Sequence, residues 1–175
     1  MVESTITAPY DLDRVDRQIL EHLQEDGRLS IAEIGRRVHL STTPCVERIR
    51  RLERERVITG YIAQVDPRRL GYDLLAFIEV SLDRTNPDSF GRFRDAVTQF
   101  EEVTECYMVA GNFDYLLKVN VTSTAAFRRF LVEKLTRVEG LNQTHTYFTL
   151  EALKSSHKIP LPRPASWRGH KAGRR

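Results

Sequence analysis

The stretch that decides the fold is SIAEIGRRVHLSTTPCVERIRRLER, residues 30–54. Ser30, followed three residues later by Glu33, is typical of a helix start, because the hydroxyl caps an otherwise unpaired backbone N–H. Pro44 suits the first turn of a second helix, where its missing N–H would have no partner anyway. The apolar spacing around these signals predicts two short helices joined by a tight turn, the second with arginines on its outer face.

This arrangement is typical of a helix-turn-helix, which places the first turn of its second helix in the DNA major groove. The simpler alternative is a small helical domain whose arginines pair with acids one turn away, such as Glu47 with Arg51. Arginines outnumber the acids on this helix, so DNA binding is the favoured interpretation. The predicted DNA-contacting residues, for base edges or phosphates, are Ser41, Thr42, Thr43, Pro44, Arg48, Arg50, Arg51 and Arg54.

The regions on either side complete two domains. Leu12, Ile19 and Leu23 recur at helical spacing and predict a preceding helix, while residues 57–65 predict a short β-hairpin, or wing. From residue 73 the hydrophobic period changes to two, and the elements then follow the order β-α-β-β-α-β, the ferredoxin-like arrangement. The fold class is therefore α+β, a winged helix-turn-helix followed by a ferredoxin-like domain. The predicted segments are residues 1–10 (flexible N-terminus), 11–66 (winged helix-turn-helix domain), 67–72 (linker), 73–155 (ferredoxin-like domain) and 156–175 (basic disordered tail).

The charge of the chain is unevenly distributed. Its formal net charge is +3 at pH 7, but the seven bases that follow Glu151 are accompanied by no acid. Without those seven bases the net charge is −4, so the rest of the chain is mildly acidic and bulk basicity is weak evidence for nucleic-acid binding. The tail either adds nonspecific attraction to phosphates or is a solvated extension.

The sequence contains no pattern of a catalytic or metal site. The five histidines lack metal-ligand spacing with either cysteine, and there is no glycine-rich phosphate loop. Cys45 and Cys106 are predicted to be packed thiols, and two cysteines in such a chain are typical of a reducing cytosol. A membrane-spanning apolar run and a signal peptide are also absent. We therefore expect a cytoplasmic protein that is not an enzyme and has no membrane partner.

The segment Gly111-Asn112-Phe113-Asp114 lies between two predicted strands and has two interpretations. Gly and Asn tolerate the backbone of an ordinary hairpin turn, which the residues alone favour. In the alternative, backbone N–H groups and the Asp114 carboxylate bind the two charged ends of a small amino acid.

Three segments resemble the Lrp/AsnC transcription regulators: LDRVDRQIL at residues 12–20, STTPCVERIRRLE at 41–53 and GNFDYLLK at 111–118. They occur in the expected order, and the resemblance covers residues 11–158. It implies an N-terminal winged helix-turn-helix that binds double-stranded DNA and a ferredoxin-like domain that senses an effector. It also implies homodimers that assemble further, often into octamers around which DNA wraps, in the nucleoid of a bacterial cytoplasm.

The resemblance favours the second interpretation of residues 111–114. It implies an amino-acid effector, leucine or another, bound between dimers, with the Asp114 carboxylate on the ammonium and backbone N–H groups on the carboxylate. The expected effector contacts are Met108, Gly111, Asn112, Asp114, Thr144 and Phe148. The prediction is a sequence-specific regulator, without cofactor or metal, whose assembly and DNA binding respond to an amino acid.

Two other classes remain open at this point. A nucleoid-architectural protein would bind DNA broadly with little ligand response, and comparing operator with random DNA at fixed salt separates it from a specific regulator. An amino-acid-binding partner of a metabolic enzyme would leave the arginine-bearing helix unexplained.

Overall fold

The computed structural model describes residues 10–161, which form two compact units. Within this range the first unit combines residues 10–63 with residues 155–161, and the second unit is Gln64–Lys154. The chain therefore passes from one unit to the other twice. Across the described residues, no helix has both the length and the apolarity needed to cross a bilayer.

Three helices build the first unit: α1 (Arg14–Glu25), α2 (Ile31–Val38) and α3 (Thr42–Arg54). Side-chain caps start the first two helices, because Asp13 accepts from the Asp16 N–H and Ser30 accepts from the Glu33 N–H. Their apolar faces meet in one core, whose buried members are Leu12, Ile19, Leu20, Ile34, Val38, Cys45, Ile49 and Leu52. The predicted helices and the packed Cys45 thiol are confirmed.

The turn between α2 and α3 requires a close backbone approach. His39 adopts the left-handed conformation with φ of 58°, and the Leu40 N–H donates to the Gly35 carbonyl at 2.8 Å. A Cβ on Gly35 would lie 2.8 Å from the Leu40 oxygen, so glycine alone fits this position without displacement of the backbone. This contact in the turn therefore sets the direction of α3 relative to α2.

Residues 57–65 do not form the predicted β-hairpin. The Val57 and Ile58 N–H groups both donate to the Leu52 carbonyl, and the two side chains pack on the helical core. Residues 59–66 follow without strand or helix, and Ile62 in this stretch is 79% exposed. The prediction of a wing is therefore wrong, because Val57 and Ile58 instead cover the end of the α3 core.

The second unit has the predicted ferredoxin-like order. A 3-10 turn at Pro67–Leu70 lies at the start of this unit, ahead of its first strand. Its elements are β1 (Leu74–Leu82), α4 (Ser89–Val97), β2 (Val103–Met108), β3 (Tyr115–Val121), α5 (Thr124–Arg129) and β4 (Leu141–Phe148). A π-helical turn at Phe130–Lys134 and a 3-10 turn at Leu135–Arg137 continue α5. All neighbouring strands are antiparallel, in the order β2-β3-β1-β4.

The core of this unit lies between the sheet and its helices. Alternate residues of β1 are buried from Ala76 to Leu82, as the period of two predicts, and they pack with Phe93 and Phe130. Cys106 is exposed instead, because β2 is an edge strand. The prediction of a packed thiol is therefore wrong for Cys106.

Gly140 allows the loop before β4 to contact the start of α4. Its φ is +87°, and a Cβ at this position would lie 2.3 Å from Ser89 Oγ and 2.7 Å from Ser89 Cβ. Ser89 is fully buried, so it cannot turn out into solvent to make room.

We expect the Gly140→Ala substitution to lower the free energy of unfolding by about 2 kcal/mol or more, since it combines backbone strain with overlap in a packed core. Gly91→Ala is the matched control, because a Cβ at this α4 position meets no atom within 4 Å. Denaturant unfolding followed by circular dichroism measures both variants. Equal stabilities would contradict this account of Gly140.

Candidate nucleic-acid and effector sites

The first turn of α3 presents exposed polar groups. Ser41, Thr42 and Thr43 are all exposed, and the Ser41 hydroxyl makes no capping hydrogen bond. No acidic residue lies in this turn. Backbone N–H groups at a helix start carry partial positive charge, so this turn is chemically suited to phosphate oxygens and to base edges.

Two arginines of α3 are bound to a buried carboxylate on α1. Asp16 is only 1% exposed, and its Oδ1 accepts from Arg48 Nη1 at 2.8 Å while its Oδ2 accepts from Arg51 Nη2 at 2.7 Å. Arg48 also donates to Asp13, and these hydrogen bonds raise the pKa of Arg48 above its usual value. The ion pairs therefore join α3 to α1 across the outside of their apolar core.

The predicted arginine contacts consequently divide into two groups. Arg48 and Arg51, predicted from the sequence to contact DNA, instead donate hydrogen bonds to Asp16 inside the unit. Arg50 is exposed and has no ion-pair partner among residues 10–161. Arg54 makes only a 3.4 Å contact with the neighbouring Glu55 and has a side chain that is 68% exposed. Arg50 and Arg54 are therefore the α3 bases most available to phosphates.

These side chains border an open depression of about 530 Å³ on the outer face of α3. Its lining consists of Pro44, Glu47, Arg48, Arg50, Arg51 and Arg54. Four of these residues are bases, but Asp13 and Asp16 compensate Arg48 and Arg51, so the available positive charge of the depression comes from Arg50 and Arg54.

The bases of α2 are compensated locally. Glu33 accepts from Arg36 Nη2 at 2.7 Å and from Arg37 Nε at 2.8 Å. The hydrogen bond from Arg36, followed by that from Arg37, lowers the pKa of Glu33 to about 2, so this carboxyl is ionised throughout the neutral range. Glu33 thus offsets one of the two arginine charges, and α2 adds a single net positive charge to the surface.

Asp114 lies buried at the base of the loop between β2 and β3. Its Oδ2 accepts from the Leu82 N–H and its Oδ1 from Arg84 Nη2, both at 2.8 Å. The Asp114 N–H donates in turn to the Val80 carbonyl at 2.9 Å. This loop is thus attached to the end of β1. Each carboxylate oxygen accepts one of these bonds and retains a second lone pair.

Arg84, which donates to Asp114, is a site residue that the sequence did not predict. Its side chain is 68% exposed although one end donates to Asp114, so most of its donors face solvent. A single base shortly after a strand gives no pattern in the sequence. Gly111 and Asn112 are exposed in the adjacent loop.

The remaining predicted effector residues lie on opposite edges of the sheet. The register aligns Met108 with Tyr115, Tyr115 with Val80, and Val80 with Thr144. Met108 and Thr144 are therefore three strand spacings apart, about 14 Å.

Phe148 lies still farther along β4. It packs edge-on against Phe127 of α5, with ring centroids 5.0 Å apart. The six predicted effector residues therefore do not converge on one pocket within the part of this chain that the structure describes.

Comparison with known proteins identifies both units. Residues 12–53 match the AsnC-type helix-turn-helix domain, and residues 75–159 match the Lrp/AsnC ligand binding domain. The leucine-responsive regulatory proteins of Klebsiella pneumoniae and Escherichia coli K12 are each 48% identical over 159 residues, or 91% of this chain and 97% of each relative. The chain belongs to the Lrp/AsnC family. It is a DNA-binding transcriptional regulator with a ligand-binding domain, and its family consists of regulators rather than enzymes.

Solved structures of Lrp/AsnC proteins confirm the fold. A transcriptional regulator of Neisseria meningitidis, determined as a complex with L-Met, has a TM-score of 0.82 at 35% identity, covering 85% of this chain and 96% of that one. Escherichia coli AsnC has a TM-score of 0.80 at 28% identity, covering 86% of this chain and 100% of its own.

Substitutions in the two groups of arginines are expected to affect different properties, DNA binding in one group and folding stability in the other. Arg50→Ala should weaken binding to all DNA sequences and reduce the salt slope by about 1, with stability changed by no more than about 0.5 kcal/mol. Arg51→Ala should lower the free energy of unfolding by about 1–2 kcal/mol, because buried Asp16 loses one of its partners, although the exposure of Arg51 moderates the effect. Fluorescence anisotropy with labelled duplex DNA and denaturant unfolding measure the two properties. Similar stability losses in both variants would contradict the division.

Proposed function

We propose that this regulator alters its DNA binding and assembly in response to a small amino acid, leucine or another. The observation that carries the proposal is the Asp114–Arg84 ion pair beside the exposed loop at Gly111 and Asn112. An amino acid is a zwitterion, so an acid and a base that are held side by side complement both of its charged ends. The Neisseria meningitidis relative supports this ligand class, since it was determined with L-Met.

The proposed contacts use the groups that this chain presents. The second lone pairs of Asp114 accept from the ligand ammonium, while exposed Arg84 and the N–H groups around Gly111 and Asn112 donate to its carboxylate. In this proposal Arg84 is added to the contacts predicted from the sequence, and Asp114 also fixes the loop through Leu82.

The apolar side of the site is proposed to come from a neighbouring subunit. Met108 is 64% exposed on one edge strand, whereas Thr144 and Phe148 lie on the opposite edge strand of the same chain. Two copies that approach through these edges would bring both sets to one ligand, so we propose homodimers that assemble further, up to octamers. Ligand binding at such a shared site would then depend directly on the assembly of subunits.

The proposed mechanism is a population shift. A ligand between subunits stabilises one arrangement of DNA-binding units over another by its difference in affinity for the two arrangements. Linkage requires that DNA alter ligand affinity by the same factor, which a titration in both directions tests.

A panel of amino acids should identify the effector. Calorimetry is expected to show binding of one or a few amino acids, with a change of assembly state in sedimentation. The amide and the N-acetyl derivative of an active amino acid should each bind much more weakly, because each removes one charged end. If no amino acid binds or changes assembly, the proposal is wrong and an architectural DNA-binding protein with little ligand response is favoured.

Two substitutions should separate the two ends of the ligand. Asp114→Asn is expected to weaken amino-acid binding about 10- to 100-fold, which is the worth of one charged hydrogen bond. Arg84→Gln should weaken binding of the free amino acid but have little effect on its amide, which lacks the carboxylate. Calorimetry on both variants measures these constants, and thermal unfolding controls for stability. Unchanged amino-acid binding by the Asp114 variant would exclude the proposed ammonium contact.

A further inference from the structure

The segment that follows the ligand-binding domain makes specific contacts within the helical unit. We call residues 155–161 the strap. The amide of Gln24 on α1 binds both backbone groups of Ile159: Nε2 donates to the carbonyl at 3.2 Å, and Oε1 accepts from the N–H at 2.6 Å. Leu161 then packs against the apolar core of α1, α2 and α3. The prediction of a disordered tail is therefore wrong where it includes the strap, and the tail from residue 162 onward lies outside the described residues.

The strap is attached by a small set of contacts. The Ile159 side chain is 71% exposed, so the Gln24 amide and not the isoleucine side chain sets its position. Lys158 Nζ lies 4.0 Å from Glu25 Oε1, a long contact between two exposed groups that adds little. Segments with few buried apolar contacts and exposed backbone hydrogen bonds are those that open locally while the rest of a protein stays folded. We therefore expect the strap to detach and reattach without unfolding of the helices.

The strap is bound to the helix that positions α3. Gln24 follows Asp16 by about two turns of α1, and Asp16 is the buried carboxylate that accepts from two arginines of α3. Leu161 packs against the core to which α3 contributes Leu52. An attached strap therefore stabilises this arrangement of α1 and α3, whereas a detached strap returns apolar surface of the core to water.

The strap is also a direct continuation of β4. The last hydrogen bond of the chain to the sheet joins the Thr149 N–H to the Leu75 carbonyl at 2.9 Å. The ten residue steps from there to Ile159 span at most about 33–36 Å. Leu150 and Leu153 are almost fully exposed, so this connection is largely unpacked. It is a short covalent link between α1 and the strand that carries two of the proposed effector residues.

We propose that reversible attachment of the strap transmits the state of the ligand-binding domain to the DNA-binding unit. With the strap attached, α1 and α3 are held in the arrangement that binds DNA, and DNA affinity falls when the strap detaches. A rearrangement at β4 changes attachment through the short connection. This inference rests on the proposed amino-acid response, which supplies that rearrangement. Two sites communicate through such a two-state element when both bias its equilibrium, so DNA must in turn favour attachment.

The link to DNA is tested first, in the full-length protein without amino acid. A saturating random-sequence duplex at low salt should slow hydrogen exchange of the Ile159 N–H about fivefold or more, at the lower end of usual coupling between sites. The Thr149 N–H, which is bonded within the sheet, is the internal control and should change little. Exchange of Ile159 that stays the same at saturating duplex overturns the proposal.

Detachment of the strap should weaken DNA binding. Gln24→Ala combined with Leu161→Ala should remove the protection of the Ile159 N–H and weaken duplex binding about fivefold or more. Gln18→Ala is the matched control, because Gln18 lies on the same helix and is not the residue that binds the strap. Normal affinity with a detached strap contradicts the proposal. Loss of amide protection throughout α1 and α3 would mean that the strap only supports the fold, which also overturns it.

The link to the effector is tested with L-leucine and L-methionine. An amino acid that weakens duplex binding should speed exchange of the Ile159 N–H, and one that strengthens binding should slow it. Inserting about six Gly and Ser residues between Ala152 and Leu153 lengthens the connection but keeps the strap contacts. The insertion should therefore reduce the effect of the amino acid on DNA affinity, while affinity without amino acid stays the same. The same residues appended after Arg175 are the control.

The outcomes separate this inference from the proposed function. An amino acid that binds in calorimetry and changes duplex affinity without changing exchange of the Ile159 N–H overturns the role of the strap and leaves the amino-acid response intact. A full amino-acid effect in the insertion variant has the same meaning. If neither amino acid binds and the wider panel also fails, the proposed function is wrong, and transmission through the strap is wrong with it. The duplex experiments without amino acid then still decide whether strap attachment and DNA binding are linked.

Discussion

The orientation of α3 depends on one buried carboxylate. Asp16 on α1 accepts from Arg48 and Arg51, which come from successive turns of α3. A carboxylate that is almost fully buried is tolerated only when opposite charge and hydrogen bonds compensate its lost hydration. The two arginines are therefore needed inside the unit before they can be assigned to DNA, and the apolar core alone does not explain the placement of α3.

The ion pairs with Asp16 divide the side chains of α3 into those that position the helix and those that remain exposed. Residues that face α1 determine the angle of α3, while the first turn and the exposed arginines are the groups predicted to contact the nucleic acid. The second unit contains a comparable arrangement. The buried Asp114 carboxylate accepts from the Leu82 N–H and so holds the loop between β2 and β3 against the end of β1. In both units a buried acid sets the geometry of an exposed polar surface.

Sequence periodicity was sufficient for the helices and for the four strands of the second unit and their order, because burial patterns within one element are local. Asp16 and Arg51 are 35 residues apart, so no spacing rule could pair them. Residues 57–65 had the composition of a strand, but strand formation also requires a hydrogen-bonding partner, which composition does not encode. The role of Arg84 and the contacts of Ile159 were missed for the same reason, since their partners Asp114 and Gln24 lie far away in sequence.

Residues 155–161, which contact the helical unit through Ile159 and Leu161, are synthesised after the rest of that unit. A chain is synthesised from its N-terminus, and domains generally fold as they emerge. Part of the first unit is added late, because Ile159 and Leu161 follow all of Gln64–Lys154 in the chain. The contacts of Ile159 with Gln24 and of Leu161 with the helical core can therefore form only after the whole ligand-binding domain has been synthesised.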